Sequence, residues 1–238
     1  MQKNEFLLQR EPVLIGLFYF GGQKLKDMKG RKFVFSPNAI QHIYRRAFDK
    51  GVIFYTLEDR IVFYTIIAVY ARKYGITVYA ASLMYTHIHL SISAESERVV
   101  EKFLQDSGSV FARVYNRKYG RCGELFDKPF GHSQKRGDKE KRTNIIYVFN
   151  NHVEKGLCRL ASEERWSFLA YAESNNPFSQ SQDLKTASNL MKRAINLVNR
   201  RVKNNRPLKY GDMDTLLSKM TDVEKNQFVD YVICIYRL

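Results

Sequence analysis

Two β-rich runs follow each other along the chain with no room between them for a crossover helix. They are ITVYAASLM at residues 76–84 and YTHIHLSIS at residues 85–93. Parallel neighbours need a connection of about a dozen residues, whereas antiparallel strands need only a short turn. The runs therefore predict an antiparallel pair. Helical patterns over residues 58–74 and 97–119 flank it, which favours an α+β fold, an antiparallel sheet with helices on one face.

The second run carries two of the five histidines of the chain. Because successive side chains of a strand point to opposite faces, His87 and His89 share one face of the sheet. The alternate apolar residues share the other face and predict its core side: Ile88, Leu90 and Ile92. Two neighbouring imidazoles can hold a divalent metal ion, or they can be polar residues on a solvated face. The sequence leaves both interpretations open.

The charge of the chain is strongly positive, with 39 Lys and Arg against 24 Asp and Glu and a formal net charge of +15. Such a field favours a polyanionic partner: DNA, RNA or an anionic membrane surface. Because no apolar run approaches the length of a membrane span and no signal-peptide pattern opens the sequence, we expect no membrane association. The three cysteines are widely spaced without a CxxC pair, which predicts reduced thiols in a cytoplasmic protein.

Composition divides the chain into four parts. Residues 1–30 form an N-terminal segment without clear periodicity, and residues 31–171 hold the strand patterns and the helices that flank them. The polar stretch AESNNPFSQSQ at residues 172–182 predicts a linker. Residues 183–238 look helical throughout and predict a small helical appendage, which either adds DNA affinity or packs on the core.

Another helix is predicted over residues 138–155, after a basic loop that contains glycine at residues 120–137. Projected at about 100° per residue, the helix has two sides of different character. Its apolar side carries Ile145, Ile146, Val148, Phe149 and Val153. Its polar side carries Thr143, Asn144, Tyr147, Asn150, Asn151 and Glu154. Tyr147 lies at the centre of the polar side, so it is either an ordinary surface tyrosine or a nucleophile that faces an active site.

Together these features resemble a known family. The histidine strand, followed after 60 residues by Tyr147 on a helix, is similar to the pattern of single-tyrosine HUH transposases, above all the REP-associated tyrosine transposases. Five segments resemble family blocks in the same order: HIYRRAFDKGVIF, YGITVYAASLMYTHIHLSIS, FARVYNRKYGRCGELFDKPF, IIYVFNNHVEKGL and ERWSFLAY. The resemblance covers residues 42–171. It implies a ferredoxin-like antiparallel sheet with the two histidines on a central strand.

Two positions depart from the family pattern. Where relatives have Met-Pro-Asn before the first histidine, this chain has Met84, Tyr85 and Thr86. Where relatives have a proline after the asparagine that follows the tyrosine, it has His152. The first change alters the backbone that leads into the histidine strand, and the second leaves the helix able to continue. Neither removes a residue that the resemblance marks as a ligand or nucleophile.

The resemblance implies a role for each candidate residue. Tyr147 is the nucleophile that joins the 5′ side of a cleaved single strand and frees a 3′-OH. His87, His89 and Asn151 hold Mg²⁺ or Mn²⁺, and Asn150 competes with Asn151 for the role of third ligand. The implied activity is that of a DNA nuclease and strand transferase that acts on single-stranded or hairpin DNA. The resemblance leaves the oligomeric state open, and a dimer is one possibility.

Basic residues near the predicted tyrosine helix are candidates for DNA contacts. Helix N-termini favour phosphate, and the aromatic residues interleaved with these cations can stack unpaired bases. The same residues can also form an ordinary solvated basic face. The candidate set is Arg45, Arg113, Arg117, Lys118, Arg121, Lys135, Arg136, Lys139 and Arg142.

Two other classes of function stay open. The first is a DNA-binding regulator on the same fold that does not cleave, for which the altered residues before His87 are the reason. The second is a metal-dependent phosphoesterase that activates water and forms no tyrosine intermediate. Phosphoesterases with paired His-x-Thr motifs need a second copy of the motif, and this sequence has none.

Overall fold

The computed structural model describes residues 35–127, 130–167, 169–171 and 186–238. The described residues lie within one compact unit. The predicted N-terminal segment and the predicted linker lie outside the described residues, so their boundaries remain predictions. Among the helices of the described ranges, none has both the length and the apolar character that crossing a membrane requires.

Four antiparallel strands form a sheet in the order β2–β3–β1–β4. Their bounds are β1 Ile40–Arg46, β2 Thr77–Leu83, β3 His87–Ser93 and β4 Gly131–Lys135. Because β3 pairs with β2 on one side and with β1 on the other, the two histidines stand on a central strand, as expected.

The short edge strand β4 lies in a stretch that the sequence analysis assigned to a loop. It pairs antiparallel with β1, from Ile40 opposite Lys135 to Tyr44 opposite Gly131. Its sequence, Gly-His-Ser-Gln-Lys, contains none of the β-branched or large apolar residues that usually mark a strand. The pairing with β1, which is a tertiary effect, keeps this segment extended.

Six α-helices occur in the described ranges. They are α1 Leu57–Tyr74, α2 Glu97–Tyr119, α3 Asp138–Glu154, α4 Asn189–Lys203, α5 Tyr210–Leu217 and α6 Asp222–Ile235. The two long helices begin at capping residues, since the Thr56 hydroxyl accepts from the Asp59 N–H and the Ser96 hydroxyl accepts from the Val99 N–H. Both end at a glycine in the left-handed conformation. These local signals explain why both were predictable from sequence.

The two faces of the sheet have different partners. α1 and α2 pack on the apolar face, together with Ile88, Leu90 and Ile92 in one hydrophobic core. α3 lies on the histidine face, where Ser91 Oγ donates to Asn144 Oδ1 at 2.7 Å. The α+β fold with an antiparallel sheet is therefore confirmed. α3 is an additional helix on the second face, which the expectation of helices on one face did not include.

The C-terminal helices share the core of the sheet domain. The backbone N–H of Leu208 donates to Thr65 Oγ1 inside α1 at 3.1 Å. Tyr171 donates its hydroxyl proton to the carboxylate of Asp230 in α6 at 2.6 Å, and Arg165 makes an ion pair with the same carboxylate. Of the two roles considered for the helical tail, packing on the core is thus observed.

Asp59 connects three helices from a fully buried position. Its carboxylate accepts hydrogen bonds from Lys118 Nζ at 2.9 Å, from the Tyr119 hydroxyl at 2.8 Å and from the Tyr210 hydroxyl at 2.8 Å. Burial alone would raise the pKa of Asp59, but these bonds and the backbone N–H of Thr56 outweigh it, so the pKa is lowered. The start of α1, the end of α2 and the start of α5 therefore depend on one ionised carboxylate.

Replacing Asp59 with asparagine tests this connection. Asp59→Asn keeps the size of the side chain but leaves the Lys118 ammonium without its counter-charge, so we expect a loss of roughly 3 kcal/mol in the free energy of unfolding by urea. The exposed pair of Asp222 and Lys225 gives the control, because Asp222→Asn should change stability by at most about 0.5 kcal/mol. Equal losses in the two variants would contradict the connecting role of Asp59.

Candidate active site on the histidine face of the sheet

The pairing of β1 with β3 brings further polar residues beside the two histidines. In this register Arg46 lies opposite His87, Tyr44 opposite His89, and His42 opposite Ser91. Residues directly opposite each other in an antiparallel pair share a face. His42, Tyr44 and Arg46 were not among the candidate residues of the sequence analysis. Their alternation was visible in the sequence, but it has meaning only once the partner strand and its register are known.

The two imidazoles of the histidine strand lie side by side, with ring centroids 5.1 Å apart. Each engages a neighbour through its Nδ1 atom. Nδ1 of His87 lies 3.0 Å from Thr86 Oγ1, and Nδ1 of His89 lies 2.9 Å from Nε2 of His42. The His89 ring is buried and the His87 ring is half-buried.

The histidines of this face are held in their neutral form. Burial, and then the neighbouring His42 and His87, lower the pKa of His89 to about 3. Burial, and then the Lys135 ammonium, lower the pKa of His42 to about 4. The pKa of His87 is also lowered, mainly by burial and then by Arg46. Neutral imidazoles are the form that binds divalent cations.

Tyr147 stands over these histidines on α3. Its ring centroid is 5.8 Å from that of His89 and 5.7 Å from that of His42. The residue is 38% exposed, so it contacts the histidine rings and remains open to solvent. This position is suited to a side chain that meets a substrate.

An ordinary amphipathic helix buries its apolar side. α3 instead buries mainly polar side chains. Its buried residues are Asn144, Val148, Asn151 and His152, whereas Ile146, on the apolar side of the projection, is 58% exposed. The helix covers the polar face of the sheet and not the apolar core, so amide side chains point inward. This packing places Asn151 inside the protein, one turn after Tyr147.

This face carries donor types that suit a divalent cation: two neutral imidazoles and a buried amide oxygen. Asn151 is 3% exposed, and its Oδ1 atom is buried without a hydrogen-bond partner in the described part of the chain. Asn150 is half-buried. The described ranges contain no group of three or more His, Cys, Asp or Glu side chains that could hold a metal. A cation here would therefore combine the imidazoles of His87 and His89 with an amide oxygen.

A cavity of about 630 Å³ opens beside Tyr147, between β1, β4 and the first half of α3. Its walls combine cations with rings: Arg46, Lys135, Lys139, His42, Tyr44 and Tyr147. The Tyr44 ring packs against the backbone of Gly131 in β4. A Cβ atom on Gly131 would lie 1.9 Å from the ring. Glycine at that position gives the ring its room. Positive charge and aromatic surface thus meet in a cavity that Tyr147 also lines.

The predicted basic set divides between the two faces of the sheet. Lys135 and Lys139 line the cavity, while Arg136 and Arg142 are exposed at the start of α3. Arg45 points to the other face, where it donates to the Leu104 carbonyl oxygen at 3.0 Å and stacks over Phe126 at 4.3 Å. Burial lowers its pKa to about 10. We therefore do not keep Arg45 among the proposed DNA contacts.

The remaining cations belong to α2 and the turn after it, across the sheet from the histidines. Lys118 is the partner of Asp59, and the Arg121 guanidinium lies 5.8 Å from the centre of the Tyr115 ring. Arg113 and Arg117 are exposed. The structure does not bring these four residues together with His87, His89 and Tyr147.

His152, which stands where relatives have proline, continues α3 and anchors its end. It is buried, with Nδ1 3.2 Å from Ser82 Oγ and Nε2 3.1 Å from a carboxylate oxygen of Glu164. The other Glu164 oxygen accepts from the backbone N–H of Trp166 at 3.0 Å. The substitution thus connects the last turn of the tyrosine helix to β2 and to the Trp-Ser segment.

Known proteins are similar to this chain in part of its sequence or in fold. Residues 39–151 match the family model described as "Transposase IS200 like". A solved structure of a REP-associated tyrosine transposase bound to a REP hairpin is similar in fold, with a TM-score of 0.50 and 13% identity over 68% of this chain and 96% of that chain. A crystal structure from Deinococcus radiodurans R1, provisionally assigned as a transposase, has a TM-score of 0.35 and 18% identity over 52% of this chain and 95% of that chain. Curated protein sequences gave no match.

The range matched by the family model contains β1, the histidine strand, β4 and α3 as far as Asn151. These are the elements that form the polar face with His87, His89 and Tyr147. Residues 39–151, which include the elements of the candidate site, are therefore similar to the IS200-like transposase family.

Proposed function

We propose that this protein cuts and rejoins single-stranded DNA through a covalent 5′-phosphotyrosine at Tyr147, assisted by Mg²⁺ or Mn²⁺ at His87, His89 and Asn151. One observation carries the proposal. A half-exposed tyrosine stands 5.8 Å, centroid to centroid, from a buried neutral histidine of a pair, within a range that matches a transposase family model.

The cation would be held by three uncharged donors. His87 and His89 contribute imidazole nitrogens from one strand, and the buried Asn151 contributes the amide oxygen that has no partner within the described residues. When bound, the ion supplies Lewis-acid polarisation of a phosphate oxygen. The protein fixes the direction of the donors. It also keeps both imidazoles uncharged at neutral pH, because their pKa values are lowered.

The phosphoryl step follows from the position of Tyr147. Its Oη atom bonds to phosphorus as the bond from phosphorus to the 3′-oxygen breaks, so the number of phosphodiester bonds is conserved. The phenol proton passes to water, and the 3′-oxygen takes one up and leaves as a hydroxyl. Because the tyrosyl ester retains the bond energy, a 3′-OH can reverse the step and rejoin the strand without a nucleotide cofactor.

The cavity beside Tyr147 would receive the unpaired strand. Arg46, Lys135 and Lys139 supply positive charge for phosphates, and Tyr44 supplies a ring on which a base can stack. The REP-associated transposase of similar fold is bound to a hairpin, and we extend that class of substrate to this chain. DNA with a hairpin and an adjacent single strand is therefore the proposed substrate.

The first test concerns the nucleophile. Wild-type protein, a labelled single-stranded hairpin oligonucleotide and Mn²⁺ should give a protein–DNA adduct that survives boiling in detergent. Tyr147→Phe removes one oxygen atom, so the adduct should disappear while DNA binding persists. Tyr79→Phe gives the control, because Tyr79 is an exposed residue of strand β2 whose hydroxyl contacts Ser93, and its adduct yield should match the wild type.

The other outcomes of this experiment separate the competing functions. An adduct that persists in Tyr147→Phe and maps to Tyr115 or Tyr119 would contradict the proposed nucleophile. DNA binding with no cleavage by the wild type would favour a regulator that does not cut. Cleavage that continues in Tyr147→Phe without an adduct would favour a phosphoesterase that activates water.

The second test concerns the third ligand. Asn151→Ala and His89→Ala should each weaken Mn²⁺ binding by at least about tenfold, measured by electron paramagnetic resonance of the free ion. Asn150→Ala is the matched control, since it removes the same amide from the neighbouring half-buried position, and it should leave Mn²⁺ binding unchanged. DNA affinity should stay close to wild type in all three variants, because phosphate contacts supply most of it. If Asn150→Ala alone weakens binding, the third ligand is Asn150.

The third test concerns the DNA-binding face. Removing Lys135 and Lys139 together should weaken hairpin binding and reduce the slope of log affinity against log salt by about 1.4, since each single-strand phosphate contact contributes about 0.7. The matched control is Arg113→Ala with Arg117→Ala, which removes the same charge from the α2 side and should leave the slope unchanged. Equal effects of the two pairs in fluorescence anisotropy titrations would contradict binding on the histidine face.

A further inference from the structure

A third histidine contacts the proposed metal site without being one of its ligands. His42, on β1, lies with its Nε2 atom 2.9 Å from Nδ1 of His89. This is the distance of a hydrogen bond between two ring nitrogens, so one nitrogen carries the proton and the other offers a lone pair. The hydrogen bond occupies Nδ1 of His89. The second ring nitrogen of His89, Nε2, takes no part in it.

The direction of this hydrogen bond decides what His89 can do. If His42 donates, the remaining proton of a neutral His89 sits on Nε2, and that nitrogen has no lone pair for a cation. If His89 donates through Nδ1–H, its Nε2 atom carries the lone pair. The same two rings at the same distance therefore describe either a ligand or a residue that cannot bind metal.

We propose that His42 is a positioning residue that accepts the hydrogen bond from Nδ1–H of His89 and so holds the Nε2 lone pair of His89 available for the divalent cation. The inference rests on the proposed function, since it assigns a role toward the same metal site. Histidines that bind metals generally donate their second ring proton to a neighbouring acceptor, which fixes both tautomer and ring direction.

The geometry separates this role from direct ligation by His42. Two nitrogens joined by a hydrogen bond cannot both direct lone pairs at one ion, so Nε2 of His42 is not available as a ligand while the contact lasts. The His42 ring also contacts the Tyr147 ring, with centroids 5.7 Å apart. His42, His89 and Tyr147 thus contact one another and line the same cavity.

The first histidine of the pair shows the same arrangement. Nδ1 of His87 lies 3.0 Å from the Thr86 hydroxyl oxygen, which can accept a proton from that nitrogen just as His42 accepts from His89. Both imidazoles thus engage a neighbour through Nδ1. This leaves Nε2 as the nitrogen that each presents. Thr86 stands where relatives of similar pattern have asparagine, and its hydroxyl provides a polar atom at that position.

The wild-type protein itself tests the proposal, without metal or DNA. Long-range proton–nitrogen NMR correlation on protein with ¹⁵N-labelled histidine reports which ring nitrogen of each neutral histidine carries the proton. At pH 7 we expect His89 to be protonated at Nδ1 and unprotonated at Nε2, and His42 to be unprotonated at Nε2. A proton on Nε2 of His89 in the wild type would overturn the proposal.

Two substitutions of His42 test the consequence for metal binding. His42→Phe keeps a ring but removes the acceptor, so Mn²⁺ affinity should fall on the order of tenfold, and the His89 tautomer should no longer be fixed. His42→Gln restores an acceptor oxygen at the same position and should recover most of the affinity. Amide NMR spectra establish that both variants are folded. Unchanged Mn²⁺ affinity in folded His42→Phe would overturn the proposal, as would equal losses in both variants.

Failure of this inference is distinguishable from failure of the proposed function. The tautomer and the Mn²⁺ affinity are measured without DNA, whereas the function is judged by the Tyr147 adduct. The expected tautomer together with no adduct would leave the role of His42 intact and remove the proposed reaction. An adduct together with Nε2–H on His89 would do the reverse.

Discussion

The antiparallel pairing of β1 with β3 is the constraint on which the site depends. A shift of one residue in this register would exchange the two faces of a strand. The apolar residues prevent such a shift, because Ile43 lies opposite Leu90 and both are buried in the core with α1 and α2. The polar residues on the other face are therefore brought together as a consequence of hydrophobic packing. His42, Tyr44 and Arg46 meet the histidine strand because the core fixes the register.

Covering this polar face with a helix has an energetic cost that an apolar face would not have. Buried amides and imidazoles need hydrogen-bond partners, and part of that need is met by the Ser91–Asn144 and Ser82–His152 contacts. Asn151 Oδ1 is not satisfied within the described residues. The same packing leaves Tyr147 half-exposed between the rings and solvent.

The parts of the fold that were predictable from sequence are those with local signals. β2, β3 and the long helices α1 and α2 have alternating or helical patterns, and each helix has a cap and a terminal glycine. β4 was missed because pairing alone keeps it extended, and the helix projection left open whether the polar side of α3 faces solvent or an active site. His87, His89 and Tyr147 were proposed from strand alternation, helix projection and family resemblance, and the structure brings His89 and Tyr147 into contact. His42 was not, since its contact with His89 requires the strand register.

Net charge was the least specific of the sequence signals, and the structure shows why. A formal charge of +15 favours a polyanionic partner, but it does not say which cations are available to that partner. Lys118 is committed to the buried carboxylate of Asp59, Arg45 to the α2 backbone and the Phe126 ring, and Arg201 to Asp212. These cations hold helices in place. These three cations stabilise the fold, whereas Lys135, Lys139 and Arg46 on the histidine side line a cavity that Tyr147 also lines.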